Sequence, residues 1–290
     1  MIELVRALGV LAEAPISTTE TVADAVGLPV PTSDEYTDVF LFQLYPYASV
    51  YLGPEGMIGG EARDRIAGFW RALRLTPPAE PDHLSALLGL YAALGEEEAA
   101  EPAEGARRVL IREARKALLW EHLLSWIPPY LDHMEAVAGA SYRPWARLLR
   151  ETLTTEAIDL GQPDRLSRHL DQAPALPDPR SEGGDAFLAG LLAPVRAGFI
   201  LVRADLARGA RELGLGLRLA ERSYTLRALL GQDRDGTLAW LAQEARRAAV
   251  KSAGDSPTSQ ITRFWSERAG AAAVLLEDLS LAAKEASHVG

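Results

Sequence analysis

The chain has 290 residues, of which 48% are hydrophobic, and it contains no cysteine. This composition supports a packed core and excludes disulfides, thiolate metal sites and cysteine nucleophiles. The formal net charge of −10 is concentrated in residues 1–105, which hold 17 acidic and 5 basic side chains and so lack the basic face that nucleic-acid binding normally needs.

Three features of the sequence together predict a cytoplasmic protein without a membrane span. The start of the chain, residues 1–6, lacks the basic and continuously apolar character of a secretion signal. No window approaches the roughly 18–20 apolar residues that are needed to cross a bilayer. The absence of cysteine is also typical of a reducing compartment.

Apolar residues recur at helical spacing along most of the chain, which predicts an all-α fold. The strongest strand signal, residues 48–52, is too short and isolated to found a sheet. Helices are predicted near residues 2–13, 19–27, 34–45, 59–75, 82–94, 104–126, 129–138, 143–153 and 155–170, and then near 185–212, 217–230, 234–250 and 258–286.

The clearest boundary is the segment 172–184, which contains three prolines and two glycines. Such a composition predicts an exposed linker. We therefore expect three parts: a helical domain over 1–171, the linker over 172–184, and a helical C-terminal extension over 185–290. An exchange of helices across this linker would give a homodimer, so both a monomer and a homodimer are open.

The run Glu80-Pro81-Asp82-His83 can be interpreted in two ways. Proline and acidic residues favour the first turn of a helix, so the run is typical of an ordinary helix start. Alternatively, a carboxylate and an imidazole at a rigid helix end could bind a basic peptide. Further metal ligands do not follow at suitable spacing, so neither a metal nor another cofactor is expected.

A second run, 121–130, places His122 and Trp126 on one face of the predicted helix. A core histidine packed on an indole is the simpler interpretation, and an aromatic peptide groove is the alternative. The glycines of 53–60 lack the lysine and spacing of a phosphate-binding loop, and Ser49 has no nucleophile-elbow setting. These stretches therefore give no support for a catalytic site.

Three stretches occur together in one order: the Ser49–Leu52 lead-in with Gly56 and Gly60, the Ala79–Leu84 motif, and the run from His122 to Pro128. In this combination the chain resembles the TorD/DmsD/NarJ family of molybdoenzyme maturation chaperones over about 35–170. The motif here is one residue shorter between proline and aspartate than in that family. The resemblance implies an all-helical chaperone domain, and it does not cover 185–290.

The resemblance also implies a function. Such a chaperone is not an enzyme, and it binds the apo catalytic subunit of a molybdopterin oxidoreductase and, in many members, its twin-arginine signal peptide. In such a peptide the arginines are followed by an apolar segment, so its receptor should offer carboxylates beside an apolar groove. The residues expected to contact the client or its signal peptide are Glu80, Pro81, Asp82, His83, Tyr91, His122, Trp126 and Trp70.

Two other classes of function stay open at this point. A helical adaptor could dock an acidic partner through the arginine-rich part after residue 184. An enzyme could use Asp82 and His83 as an acid–base pair, but it would also need a nucleophile or a cofactor site, and the sequence offers neither.

Overall fold

The computed structural model describes residues 1–217, 220–251 and 259–289, with side chains described through residue 282. All regular elements in these ranges are helices, which confirms the prediction of an all-α fold. The chain forms two compact units. In described residues, the first unit comprises 1–53 and 58–171, and the second comprises 54–57, 172–217, 220–251 and 259–289.

Helices of the first unit surround a core of large aromatic side chains. Helix α1 (Ile2–Val10) packs on α6 (Leu84–Ala100), and α8 (Ile127–Val137) packs on α9 (Tyr142–Leu160). Phe40, Trp126, Tyr130, Tyr142 and Trp145 are almost fully buried among them. The elements are α1 (Ile2–Val10), α2 (Thr19–Ala25), α3 (Ser33–Tyr36), the π-helix π1 (Thr37–Gln43), α4 (Ala48–Leu52), α5 (Gly60–Ala72), α6 (Leu84–Ala100), α7 (Ala106–Ala117), the π-helix π2 (Leu118–Leu123), α8 (Ile127–Val137), α9 (Tyr142–Leu160) and α10 (Arg168–Asp171).

Local sequence signals account for several helix ends. A capping box begins α3, where the Thr32 hydroxyl accepts a hydrogen bond from Glu35 N at 3.2 Å and the Glu35 carboxylate accepts one from Thr32 N at 3.1 Å. Prolines 128 and 129 lie in the first turn of α8. A proline costs no hydrogen bond there, so the pair starts a new helix after π2.

The segment 48–52, which carries the strongest strand signal of the sequence, is the helix α4. Val50 and Tyr51 favour strands by propensity, but all five residues of the segment are buried. The carboxylate of Asp82, brought in from elsewhere in the chain, accepts a hydrogen bond from Ser49 N in the first turn. A tertiary contact therefore overrides the local preference.

The second unit has its own apolar core. The long helices α16 (Arg234–Lys251) and α17 (Ser259–Val289) pack against each other, and shorter helices contact them. Phe187, Leu191, Leu229, Leu241 and Leu276 belong to this core. The elements are α11 (Pro179–Glu182), α12 (Gly184–Leu191), α13 (Pro194–Ala197), α14 (Arg203–Glu212), α15 (Arg222–Gln232), α16 (Arg234–Lys251) and α17 (Ser259–Val289).

The segment 172–184, which the sequence predicts to be an exposed linker, makes contacts within the second unit. Pro177 is buried, and Leu176 packs against the core of the unit. Arg268 donates hydrogen bonds to the carbonyls of Pro174 and Ala173 at 2.6 and 3.0 Å. The segment is therefore partly packed, and its role as a linker between domains stays a prediction.

Candidate functional site

The Glu80–His83 motif is joined to the loop that precedes α4. Ala48 N donates a hydrogen bond to Asp82 O at 3.0 Å, and Leu84 N donates one to Pro46 O at 2.8 Å. These two bonds make Tyr47 and His83 an isolated antiparallel bridge. The rings of Tyr47 and His83 meet edge to face, with their centroids 4.9 Å apart. The motif is thus held in place by main-chain hydrogen bonds on both sides.

Asp82 lies inside the protein and caps a helix other than its own. Its side chain is almost completely buried, and its Oδ2 accepts the hydrogen bond from Ser49 N at 3.2 Å. Ser49 lies in the first turn of α4, where main-chain N–H groups have no partner within the helix. A carboxylate at this end is also stabilised by the helix dipole. Asp82 therefore links the motif to α4.

His83 caps its own helix, α6. Its Nδ1 accepts a hydrogen bond from Ser85 N at 3.2 Å and lies 2.7 Å from Ser85 Oγ. Because Nδ1 is the acceptor, the neutral ring carries its proton on Nε2. Burial lowers the pKa of His83, while the carboxylates of Glu80, Glu13 and Asp82 act in the opposite direction. The ring is therefore neutral at pH 7.

A cavity of about 400 Å³ opens at the start of α6, and we call it the acidic cavity. Two exposed carboxylates and two half-buried phenols line it together with the imidazole of the motif. Burial and the Glu80 carboxylate raise the pKa of Tyr47, and burial with the charges of Glu13 and Glu80 raises the pKa of Tyr36. The lining residues are Glu13, Ala14, Tyr36, Tyr47, Pro78, Ala79, Glu80, His83, Ser85 and Ala86.

Two further residues of the predicted site lie beside the motif. Trp70, which is half-buried on α5, donates a hydrogen bond from Nε1 to Pro81 O at 3.3 Å. Pro81 itself is buried. Both residues therefore fix the course of the main chain between Glu80 and His83, and neither is among the residues that line the acidic cavity.

The remaining predicted residues are buried away from the acidic cavity. Tyr91 donates a hydrogen bond from its hydroxyl to Glu156 at 2.5 Å, and its side chain is inaccessible to solvent. Trp126 is equally buried, stacks on Tyr51 at 5.1 Å between centroids, and donates from Nε1 to His122 O at 2.9 Å. These contacts belong to the core of the first unit.

His122 lies in π2 and faces a second histidine. Its Nδ1 is 3.4 Å from Nε2 of His169, and its ring packs edge to face on Phe69. Burial lowers the pKa of His122 to about 3, and burial lowers the pKa of His169 to about 4. The two rings are therefore a neutral, buried pair at pH 7.

The structure thus brings Glu80 and His83 together at the acidic cavity and adds three residues that sequence reasoning missed. Glu13 follows α1, Tyr36 ends α3, and Tyr47 precedes α4. Tyr47 lies in the lead-in stretch, two residues before Ser49, but no local pattern there predicts a role for its ring. Glu13 and Tyr36 have no local sequence signal, because only the packing of distant elements places them beside His83.

Comparison with known proteins supports a family resemblance for one part of the chain. Residues 29–132 match the family model described as nitrate reductase delta subunit. This part of the chain is similar to that family. The match confirms the resemblance to the TorD/DmsD/NarJ group of maturation chaperones. Comparisons with curated proteins and with solved structures each gave no match.

The family segment covers most of the acidic cavity. It contains Tyr36, Tyr47, Glu80 and His83, whereas Glu13 lies before its first residue. In the part of the chain that the structure describes, no helix combines the length and the apolar character that crossing a membrane requires. Within the same residues, no three His, Asp or Glu side chains are grouped closely enough to hold a metal ion.

Proposed function

We propose that this protein is a maturation chaperone for a molybdopterin-dependent oxidoreductase of the nitrate reductase type. It acts in the cytoplasm, binds the apo catalytic subunit and assists cofactor insertion before assembly or export. The family match over residues 29–132 supports this class of client. A chaperone of this kind needs a binding surface for a polypeptide and no catalytic residues of its own.

The acidic cavity is the observation that carries the proposal. It is open to solvent, and two carboxylates and two tyrosine rings line it together with His83. A client segment with basic and apolar residues would find both charge complementarity and apolar contact there. The net charge of −12 over residues 1–105 would also steer such a segment towards this unit.

Among the residues predicted from the sequence, we assign direct client contact to Glu80 and His83, because both line the acidic cavity. To Pro81 and Trp70 we assign the role of shaping the main chain at the edge of the cavity. The four remaining residues are assigned to the support of the surface from within the core, since they are buried: Asp82, Tyr91, His122 and Trp126.

The client segment in this proposal includes the twin-arginine signal peptide of an exported catalytic subunit. Its paired guanidinium groups need carboxylates, and its apolar stretch needs exposed apolar side chains. Leu41 and Phe42 of π1 are 47% and 48% exposed, and they follow Tyr36 by little more than one helical turn. The apolar part of the peptide can therefore extend along π1 from the acidic cavity.

An acid–base role for Asp82 and His83 has weaker support. The Asp82 carboxylate bonds Ser49 N, the His83 Nδ1 bonds Ser85, and no hydrogen bond joins the two side chains among the described residues. A helical adaptor that binds an acidic partner through the second unit is the remaining alternative. It predicts that binding is insensitive to changes in the acidic cavity.

The proposal is tested by co-expression with the catalytic subunit of a nitrate-reductase-type molybdoenzyme from the same organism. We expect the apo subunit to co-purify with the tagged protein, and its molybdenum content to fall when the chaperone is left out. Molybdenum per subunit is measured by plasma mass spectrometry. The Glu80→Gln variant should retain about tenfold less client, as one charge-assisted hydrogen bond contributes roughly 1.5–3 kcal/mol.

Glu104→Gln is the matched control, because Glu104 is an exposed glutamate of the same unit that does not line the acidic cavity. It should retain the client as well as the wild type does. A catalytic subunit that is fully loaded without the chaperone, and that never co-purifies with it, would contradict the proposed function.

A further inference from the structure

We propose that the second unit binds an acidic segment of a partner polypeptide through Arg196 and Arg268, which we call the arginine pair. Arg196 lies on α13, and Arg268 lies on α17, the helix that packs against α13. The inference goes beyond the proposed function, because it concerns a part of the chain outside residues 29–132 and a ligand of negative charge. It does not depend on the acidic cavity.

Both side chains of the arginine pair bond to one short stretch of main chain. Arg268 donates from Nη1 to Pro174 O at 2.6 Å and from Nη2 to Ala173 O at 3.0 Å. Arg196 donates from Nε to Ala175 O at 3.2 Å. Both side chains are half-buried, so part of each stays open to solvent. Three consecutive carbonyls therefore hold the two guanidinium groups side by side.

The packing of α13 on α17 fixes the spacing of the arginine pair. Gly198, which follows α13, has a φ of 81°, and a Cβ atom there would lie 2.5 Å from the carbonyl carbon of Arg268. Only glycine permits this approach of two main chains. Arg196 lies two residues before the contact, and Arg268 is part of it. The distance between the two side chains is therefore set by the backbone.

No carboxylate of the described chain compensates the charge of the arginine pair. Neither Arg196 nor Arg268 forms an ion pair with a described residue, and burial together with the charge of Arg196 lowers the pKa of Arg268. Two adjacent like charges without a counter-charge attract an anionic ligand. Other arginines of the unit do have a carboxylate partner, at 2.5–2.8 Å: Arg180, Arg208, Arg227, Arg246 and Arg247.

Most N–H donors of the arginine pair stay available for a ligand. A guanidinium group carries five of them, and the carbonyls take two from Arg268 and one from Arg196. The ring of Phe264 covers one face of Arg268, with 5.0 Å between the guanidinium carbon and the ring centroid. A ligand therefore meets this group at its edge, where a planar carboxylate can accept two parallel hydrogen bonds.

The main chain beside the arginine pair favours carboxylates over a phosphate group. The carbonyl oxygens of residues 173–175 already bond the two guanidinium groups, and they would repel a compact dianion placed next to them. Pro174 has no N–H group, whereas phosphate sites are commonly built from main-chain N–H groups. Pro174 and Ala175 are exposed and offer apolar contact. Two carboxylates of one polypeptide segment, each bonded to one guanidinium group, fit this surface.

The experiment uses the full chain and two capped peptides, Ac-Ala-Ala-Glu-Glu-Ala-Ala-NH2 and its counterpart with two glutamines, at constant ionic strength. Binding is followed by NMR of the arginine Nε–H signals, with those of the pair assigned from Arg196→Gln and Arg268→Gln variants. The glutamate peptide should shift both signals and should bind about tenfold more tightly than the glutamine peptide. Arg196→Gln should weaken its binding roughly fivefold, as expected for one partly exposed ion pair.

Arg211→Gln is the matched control, because Arg211 is an exposed arginine of the same unit whose Nε donates to Ala207 O within its own helix. It should bind the glutamate peptide as the wild type does. Arg268→Gln removes two hydrogen bonds to the main chain, so hydrogen exchange over residues 173–177 is measured to show whether this segment stays packed.

Two results would overturn the inference: equal binding of the glutamate and glutamine peptides, and an Arg196→Gln variant that binds the glutamate peptide like the control. Inorganic phosphate is titrated at the same ionic strength and should bind more weakly than the glutamate peptide. If phosphate binds more tightly, the arginine pair is a site for a small oxyanion, and the assignment to an acidic polypeptide segment is wrong.

Discussion

Asp82 and His83 are neighbours in the sequence, but their side chains cap two different helices. Asp82 bonds the first turn of α4, and His83 bonds the first turn of α6. The main chain at the same two residues takes part in the bridge between Tyr47 and His83, so side-chain and main-chain hydrogen bonds fix the motif together. Of the two, only His83 lines the cavity, so replacing each should have different consequences.

Replacing Asp82 with alanine should destabilise the first unit. The Ser49 N–H would lose its acceptor in a buried position, and α4 would lose the favourable charge at its N-terminus. The expected loss in the free energy of unfolding is about 1–3 kcal/mol. Urea unfolding followed by circular dichroism measures it.

Asp38→Ala serves as the control, because Asp38 is an exposed residue of π1. Its stability should stay within about 0.5 kcal/mol of the wild type. A folded and equally stable Asp82→Ala variant that no longer binds the client would contradict the capping role and would move Asp82 into the binding surface.

At the scale of single residues, the sequence predicts some of the residues that line the acidic cavity and misses others. Glu80 and His83 belong to a recognisable motif at a helix start, so their place on a common surface follows from local rules. Glu13 and Tyr36 come from elements far away in the chain, and their approach to His83 depends on how α1 and α3 are packed. Such contacts are not encoded in any short stretch of residues, which is why these two were missed.

At the level of elements, long periodic helices are predicted well and their interruptions are not. The sequence pattern predicts separate helices near 143–153 and 155–170, whereas α9 runs unbroken across the predicted division at Thr154. Within this continuous helix the hydroxyls of Thr152 and Thr155 donate to the carbonyls of Leu148 and Glu151 at 2.7 and 2.9 Å, so both polar side chains have partners there. It ends at Gly161, whose φ of 71° gives the stop signal.

The two π-helices were also outside the reach of periodicity. In π1, Leu44 N donates to Val39 O, and in π2, Leu124 N donates to Leu119 O, each five residues back. The wider turn of π2 places His122 against Phe69 and His169. Segments of this kind are rare and are often found at functional or strained positions, so sequence rules based on a turn of 3.6 residues miss them.

The buried histidine pair should make the first unit sensitive to acid. The folded pKa values of His122 and His169, about 3 and about 4, lie below the 6.5 of a free histidine. The unfolded chain therefore binds protons first, and stability is fully present above pH 6.5 and falls as the pH drops towards 4. Burial is the main cause for both groups, and the positive charge of Arg65 on α5 adds to it.

We expect each histidine to cost roughly 2 kcal/mol of stability on going from pH 6.5 to pH 5. Urea unfolding at several pH values measures this slope. His169→Gln removes one titrating group and should reduce the slope, because glutamine carries no charge at either pH. If the slope is the same in this variant as in the wild type, the acid sensitivity has another source, such as the carboxylates.

At the scale of the whole molecule, the path of the chain is unusual in one respect. Residues 54–57 belong to the second unit, although the chain before and after them belongs to the first. Gly56 has a φ of 63°, and a Cβ atom there would lie 2.6 Å from Leu192 O and 2.7 Å from the Cα of Ala193. Only glycine permits this close approach of two main chains, at the end of α12.

Gly56→Ala should therefore destabilise the second unit through both backbone strain and a clash with the main chain. Gly27→Ala is the matched control, because Gly27 has a similar φ of 69° and its Cβ would meet no atom within 4 Å. The strain alone costs about 1–2 kcal/mol, so Gly56→Ala should lower the free energy of unfolding by more than its control. Hydrogen exchange read by mass spectrometry should show faster exchange in α12 and α13 for Gly56→Ala than for the wild type. For Gly27→Ala the exchange rate of these two helices should be unchanged. Equal effects of the two substitutions would mean that residues 54–57 separate from the second unit at little cost, and their contact would then be loose.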